Sequence, residues 1–482
     1  MQILQIKTFS GPNVYHHRPV LSLHLNLQEL TDVSSADIPG FIDRLMMILP
    51  GLHDHHCSEG HVGGFLERLK RGTYFAHIIE HIALEMSVLV GIPVYYGKSL
   101  YKGPKGHYQV VVRYQCEKGM KYLLNAAVEV AQAVIHAKHC DLADYLMHAR
   151  KIVESSRLGP STEAVLAAAE RRGIPHIMFD HHIQLGYGQY RKLTQATLLE
   201  STSVVGVELA QDKDLTKRLL STVAIPVPQG TVVYSLEEAL EAFHRFSVPV
   251  AVKPLDSNQG KGVSLNIHTA EQLEEAFNLA QKFSSGVVIE EHFVGKDYRV
   301  VVVGGKVIAA SERIPAHVVG DGKSTIHELI MRENENPLRG DGHNRPMTKL
   351  VLDDIASAYL KRKHVSLLSI PAYEERVFLR ETGNLSTGGT AVDVTDELHP
   401  DIQLMCERIA KVMGLDVCGI DLIAPDISKP ILGQRAGVVE VNAAPGIRMH
   451  HFPSKGKSRD VGAAIVNNLF PPGSPFRIPI VS

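Results

Sequence analysis

Two apolar runs near the C-terminus end in oxygen-bearing side chains: Cys418-Gly-Ile-Asp421-Leu-Ile and Gly437-Val-Val-Glu440-Val-Asn442. Successive side chains on a strand point to opposite faces, so Glu440 and Asn442 share a face on which Asp421 can converge from a neighbouring strand. All three offer hard oxygens. Mg2+ takes few protein oxygens and leaves positions for phosphates, so the set suits a divalent metal in phosphoryl transfer. Upstream lie Lys217, in the helical stretch Lys213–Thr222, and Lys253, which closes the strand-like run Val248–Lys253. Next comes Asp256-Ser257-Asn258-Gln259-Gly260-Lys261-Gly262. Its glycines let backbone N–H groups approach a phosphate closely, and Lys261 adds a point charge. Val287-Val-Ile-Glu290-Glu291-His-Phe293 reads as a strand leading into a hinge, followed by Asp297-Tyr-Arg299 and a strand ending at Arg313.

A second cluster sits in the histidine-rich first third. His77-Ile-Ile-Glu80-His81 is an H-x-x-E-H pattern. On a helix, positions 77, 80 and 81 lie on one face, so two imidazoles can hold Zn2+ with Glu80 beside them as general base. Glu85, one turn on, and the upstream Cys57, Glu59 and His61 are further candidate ligands. Gly320-Asp-Gly322-Lys323-Ser324 looks like the end of a P-loop, but the position of that motif's first glycine holds His317 and no buried strand leads in. It is read as a lid segment.

The elements that must carry these residues alternate. The first ~155 residues combine strand-like runs such as Tyr108–Tyr114 with helical patterns over Gly72–Ile92 and Lys121–Lys138, an α+β unit. Turn residues and a Ser/Thr cap at Leu158-Gly-Pro-Ser161-Thr162-Glu163 precede a helix over Glu163–Arg172 and place a boundary near residue 157. From 158 to about 475 strands (His176–Phe179, Val287–Glu291) alternate with helices (Lys213–Thr222, Ala270–Phe283), an α/β pattern interrupted by a polar insertion over 314–382 long enough to be a lid. A multidomain α/β and α+β protein is expected for 482 residues. A formal charge of −2 lacks the basic excess that nucleic acid requires, and no stretch approaches the ~20 apolar residues of a bilayer span. Five scattered cysteines without a Cys-x-x-Cys pair exclude zinc ribbons and disulfide frameworks and fit a reducing, cytoplasmic setting.

Taken in order, lysine, strand lysine with glycine loop, hinge acid, Asp-x-Arg, then Asp and Glu-x-Asn, the later segments resemble the ATP-grasp superfamily. That resemblance implies ATP and Mg2+ as cofactors: Lys217 and Lys253 on the α/β-phosphates, the loop at 257–262 over the triphosphate, Glu290, Glu291 and Phe293 on adenine, and Asp297 on ribose. Arg299 and Arg313 would neutralise the transferred phosphate or acyl phosphate. Phe9-Ser-Gly-Pro-Asn13, Gly64-Phe-Leu-Glu-Arg68, Leu158–Glu163, Pro254–Gly260, Arg339-Gly-Asp-Gly-His343, Asn384-Leu-Ser-Thr-Gly-Gly-Thr390 and Val441–Gly446 together resemble the cyanophycin synthetase family across essentially the whole chain.

The family resemblance implies a ligase that phosphorylates the C-terminal backbone carboxylate of a cyanophycin-type polymer or primer and adds aspartate, in a homo-oligomer (dimer or tetramer). Ser161, Thr162, Arg299 and Arg313 are then candidates for gripping that carboxylate, and Asn384, Ser386 and Gly388 for lining the reaction centre. It also implies a polymer-binding first domain, or a metal-dependent peptidase that makes primers. A Mur-ligase-like half that attaches arginine is expected to follow. This chain ends with Phe476–Ser482, read as that half's first strand, and is expected to be a shortened form or short relative unable to add arginine alone. Polymerisation of β-aspartyl-arginine dipeptides is the alternative ligase reading. A polymer-binding or hydrolysing protein with a vestigial ATP site is the alternative from another class.

Overall fold

The computed structural model describes residues 1–256, 262–341 and 345–477, and the chain divides into two compact units, Met1–Leu158 and Gly159–Ser482. The first runs β1 (Gln2–Phe9), β2 (Val20–Asn26), α1 (Phe41–Ile48), α2 (Gly64–Arg71), α3 (Phe75–Val90), β3 (Gly97–Tyr101), β4 (His107–Arg113), α4 (Glu117–Ile135) and α5 (Leu142–Ser155). Its strands form one antiparallel sheet in the order β1-β2-β4-β3. The alternation in β2 turns Leu21, Leu23 and Leu25 to one face, where they join a core with α3 and α4. Helix α3 starts at residue 75 rather than 72, because Gly72, at φ +99°, closes α2 and Tyr74 is extended. Of its sixteen residues only His77, Val88 and Leu89 escape burial. The polar Glu80, His81 and Glu85 must therefore find partners inside the protein.

The second unit opens with α6 (Pro160–Arg171) and an antiparallel meander, β5 (His176–Phe179), β6 (His182–Leu185), β7 (Lys192–Gln195) and β8 (Leu198–Leu199), of which only the first strand is apparent in the sequence. The expected helix start at Glu163 is corrected to Pro160: proline is preorganised for the first helical position, with Gly159 as cap. Helices α7 (Val204–Gln211) and α8 (Lys213–Thr222) lead to β9 (Gly230–Val233), α9 (Leu236–Phe243), β10 (Val250–Pro254), β11 (Ser264–Ile267), α10 (Ala270–Gln281) and β12 (Val287–Glu291). These strands pair as β11-β10-β12-β9, antiparallel despite the intervening helices.

A longer hairpin, β13 (Lys296–Val303) and β14 (Lys306–Ile314), enters the next sheet. Before that sheet is completed, the chain makes β15 (His317–Val319), α11 (Ile326–Asn334), β16 (Arg339–Gly340), β17 (Met347–Thr348), α12 (Asp354–Arg362) and β18 (Arg376–Phe378). This insertion has its own small core of Ala316, Val318, Ile326, Leu329, Ile330, Leu350, Leu360 and Leu379. Then follow β19 (Thr390–Asp393), α13 (Pro400–Met413), β20 (Val417–Ala424), β21 (Gly437–Asn442), α14 (Arg448–His451) and α15 (Val461–Leu469). The central sheet is β19-β14-β13-β20-β21, antiparallel throughout, with α13 on its apolar side. Among the described residues no helix is long and apolar enough to cross a membrane.

Candidate active sites

Register places the metal candidates. Directly opposed residues across the central sheet are Asp393–Ser311, Ser311–Arg299, Arg299–Asp421 and Asp421–Glu440, one row of polar side chains spanning all five strands. Asp421, fully buried, is held bidentately by Arg299, with Nη2 3.0 Å from Oδ2, and also by Arg313 Nη2 at 3.1 Å. Burial would raise its pKa, but the two guanidinium groups outweigh that and hold it below the usual carboxylate range. Arg313 also donates to Asp297 Oδ1 at 2.6 Å, so Asp297 faces a guanidinium. Burial nevertheless pushes Asp297 up, with Arg313 opposing and Asp421 adding to the rise. Glu440 lies 3.5 Å from Lys213, and Asn442 Nδ2 is buried without a partner among the described residues. Asp421, Glu440 and, through its amide oxygen, Asn442 make an all-oxygen set that fits Mg2+.

The lysines meet on the other sheet. Glu290, 4% exposed, accepts from Lys253 Nζ at 2.7 Å and, more closely, from Lys217. Burial alone would raise its pKa, yet Lys253 and Lys217 bring it below the ordinary value, while burial pulls Lys217 down to about 8. The carboxylate of Glu290, the residue expected on adenine, is here the lysines' counter-ion. Glu291 instead accepts from the Gln229 backbone N–H at 3.3 Å, and the Phe293 ring packs at Gly437. Gly262 has φ +72°, whereas Ser257, Asn258, Gln259, Gly260 and Lys261 lie outside the described residues.

Ser161 does not cap its helix. Its Oγ accepts the Ile447 backbone N–H at 3.1 Å, tying α6 to the loop after β21, and Thr162 follows one position along. Asn384, Ser386 and Gly388 form a short turn before β19, with Ser386 exposed and Gly388 at φ +98° against Leu350. Its carbonyl accepts from Arg339 at 3.3 Å, joining this turn to the insertion. The P-loop lookalike is an Asx turn: the Asp321 carboxylate takes the Lys323 and Ser324 N–H groups at 3.0 and 2.7 Å, leaving no phosphate cradle. The end of the chain beyond Arg477 lies outside the described residues.

In the first unit, Cys57 Sγ, His77 and His81 offer ligand atoms within 4.8 Å of one another. Cys57 Sγ is 3.2 Å from His77 Nε2, and Cys57 itself sits at φ +55°. Burial lowers His77 to about 4 and His81 further, so both rings are neutral and ligand-ready. His55, which the motif does not include, pairs with His81 at 2.8 Å and with Glu85 at 3.0 Å. Glu85 is therefore a partner of His55 outside the triplet. The other expected ligands have partners of their own: Glu59 pairs with Arg71, and exposed His61 stands 3.8 Å from Glu67. Glu80 is not in the group either. Its carboxyl lies against Gly97 and hydrogen-bonds Ser99, and burial raises it to about 7. A cysteine sulfur with two imidazoles is a borderline-soft set that suits Zn2+.

Residues 22–136 match the cyanophycin synthase-like N-terminal domain, and residues 210–328 the RimK-like ATP-grasp domain. Over 100% of this chain, cyanophycin synthetases of Trichormus variabilis and Geminocystis herdmanii are each 43% identical. The chain spans 54% and 56% of those proteins. A glutathione biosynthesis bifunctional protein from Mannheimia succiniciproducens is 34% identical over 64% of this chain and 42% of its own length. The crystal structure of a bifunctional glutathione synthetase from Pasteurella multocida superposes with a TM-score of 0.54 at 30% identity, covering 73% of this chain and 51% of that one. The second unit has the ATP-grasp fold.

Proposed function

We propose, from a chain similar along its whole length to slightly over half of the cyanophycin synthetases, that it is an Mg·ATP-dependent carboxylate–amine ligase acting on a cyanophycin-type peptide. It phosphorylates the peptide's C-terminal carboxylate and joins an aspartate amine to the acyl phosphate. The observation that carries this reading is the convergence of Asp421, Glu440 and Arg299 on one sheet row, reached by the Arg313 side chain from two positions along β14, with Lys217 and Lys253 joined at Glu290.

Asp421, Glu440 and Asn442 would hold Mg2+, which when bound supplies charge neutralisation for the phosphates. Lys217 and Lys253 offer the triphosphate two cations now matched by Glu290, and Arg299 and Arg313 offer donors now matched by Asp421 and Asp297. An anion arriving there meets preorganised donors at no cost of reorienting water. ADP release with a synthetic primer, comparing aspartate with β-aspartyl-arginine dipeptide as acceptor, tests the reading. ADP with aspartate supports it, ADP with the dipeptide alone selects the alternative ligase, and none with either refutes both.

The Cys57–His77–His81 group favours a second activity in the first unit: zinc-dependent cleavage of polymer into primers. One zinc per chain in the wild type, lost in Cys57→Ser, supports it. A metal-free wild type without chelator-sensitive cleavage sinks it. Assembly as a homo-oligomer belongs to the same reading, and sedimentation of the intact chain tests it.

A further inference from the structure

Among the described residues of the second unit, buried side-chain polar atoms without a partner include Asn442 Nδ2 and His450 Nε2. Asn442 is already assigned, through its amide oxygen, to the proposed metal set. His450 is not. It lies in the short helix α14, is 1% exposed, and pairs through Nδ1 at 2.9 Å with Ser311 Oγ, itself wholly buried. Ser311 occupies the row position directly opposite Arg299, with Asp393 on its other side. The Ser311 contact therefore anchors the imidazole to the same polar row that carries Arg299, Asp421 and Glu440.

Burying a polar group without a partner is unfavourable, and such groups in native proteins call for a reason. Here the rest of the row is matched. Asp393 takes Arg459 and Thr395, Arg299 takes Asp421, and Glu440 faces Lys213. After burial, Arg299 is the strongest influence on the ring, followed by His451, Asp393 and Arg313, and burial pushes it down to about 3. The imidazole is neutral, so it offers one N–H and one lone pair. The Ser311 contact fits either tautomer, and a developing oxyanion selects the one in which Ser311 Oγ–H donates to Nδ1 and Nε2 carries the N–H.

Resting on the ligase reading, we propose that His450 Nε2–H is an oxyanion donor beside Arg299, satisfied by the acyl oxygen of the activated peptide when the amine attacks. In that step the amine nitrogen bonds to the carbonyl carbon and the carbonyl π pair moves onto oxygen. As the tetrahedral species collapses, the C–O bond to phosphorus's oxygen breaks, inorganic phosphate leaves with the bonding pair, and the proton shed by the amine goes to that phosphate. A neutral donor suits this position: it strengthens as negative charge develops without adding a third cation beside Arg299 and Arg313.

The amide of glutamine approximates Nε2 and that of asparagine approximates Nδ1, which separates the two ring nitrogens. His450→Asn is expected to lose on the order of 10²-fold in kcat, the scale of one oxyanion donor, with KM for ATP little changed. His450→Gln should recover most of it, and Ser311→Ala should lower kcat by freeing the ring. Melting temperatures of all variants are read alongside. Equal losses in both His450 variants together with equally lowered melting would make the ring mere packing and overturn the proposal. So would full activity in His450→Asn, or activity in His450→Asn but not in His450→Gln. A wild type that releases no ADP with primer and either acceptor fails the ligase reading itself, and this role falls with it.

Discussion

At Asp421 the fold and the proposed metal site place demands on one carboxylate. It is buried and its charge is matched by Arg299 and Arg313. Removing one partner of a buried ion group leaves the others uncompensated, at a cost of roughly 3–5 kcal/mol. Asp421→Asn should therefore abolish ADP release and also lower the denaturation midpoint. A variant that is inactive yet as stable as wild type would mean the arginines do not depend on it. Lys217 gives a pH signature. Burial depresses it to about 8, so the ammonium is present below that pH and is lost as pH rises through it. KM for ATP should climb between about pH 7 and about pH 9.5, and Lys217→Arg, whose charge persists, should flatten the climb. A flat wild-type profile would remove Lys217 from nucleotide binding.

Helix α3 carries its polar residues inward, and the neighbouring elements show what each one needs. Glu80 packs on β3 where Gly97 leaves room, since a Cβ there would come within 2.7 Å of the Glu80 side chain. Its folded pKa, raised by burial to about 7 from 4.5, means that its contribution is fully present below the unfolded value and is lost as pH rises through about 7. A shift of that size corresponds to about 3 kcal/mol. Thermal melts should fall between about pH 5 and about pH 8, and Glu80→Gln should flatten that fall. An unchanged slope would contradict the burial argument.

The same helix marks the limit of what is legible in the sequence. The H-x-x-E-H spacing finds His77 and His81 and predicts a shared face with Glu80. Which partner each meets depends on Cys57, on His55 and on β3, all distant in sequence. Strands β12 and β21 and helix α8 are legible to the residue, because acids, lysines and caps punctuate them. The meander strands β6–β8 are not, since their two to four residues carry too little periodicity. The pairing of Glu290 with two lysines arises only when α8 and β10 reach β12.

Across the whole molecule the two candidate chemistries use residues of different compact units, hard oxygens in Gly159–Ser482 and a thiol with imidazoles in Met1–Leu158. Each unit has its own hydrophobic core, α3 with α4 in one and the sheet β13–β20 with α13 in the other. The partners named for Cys57 (His77) and for Asp421 (Arg299 and Arg313) are different, and substitutions that share no partner act additively. On that ground, Cys57→Ser in the intact chain should abolish bound zinc and primer-forming cleavage while ADP release with a supplied primer stays within about twofold of wild type. Asp421→Asn should do the reverse, and the double variant should show both losses and no more. Zinc content, cleavage of long polymer and ADP release on the same four preparations decide it. Loss of ADP release in Cys57→Ser with primer supplied would mean that the two sites are coupled.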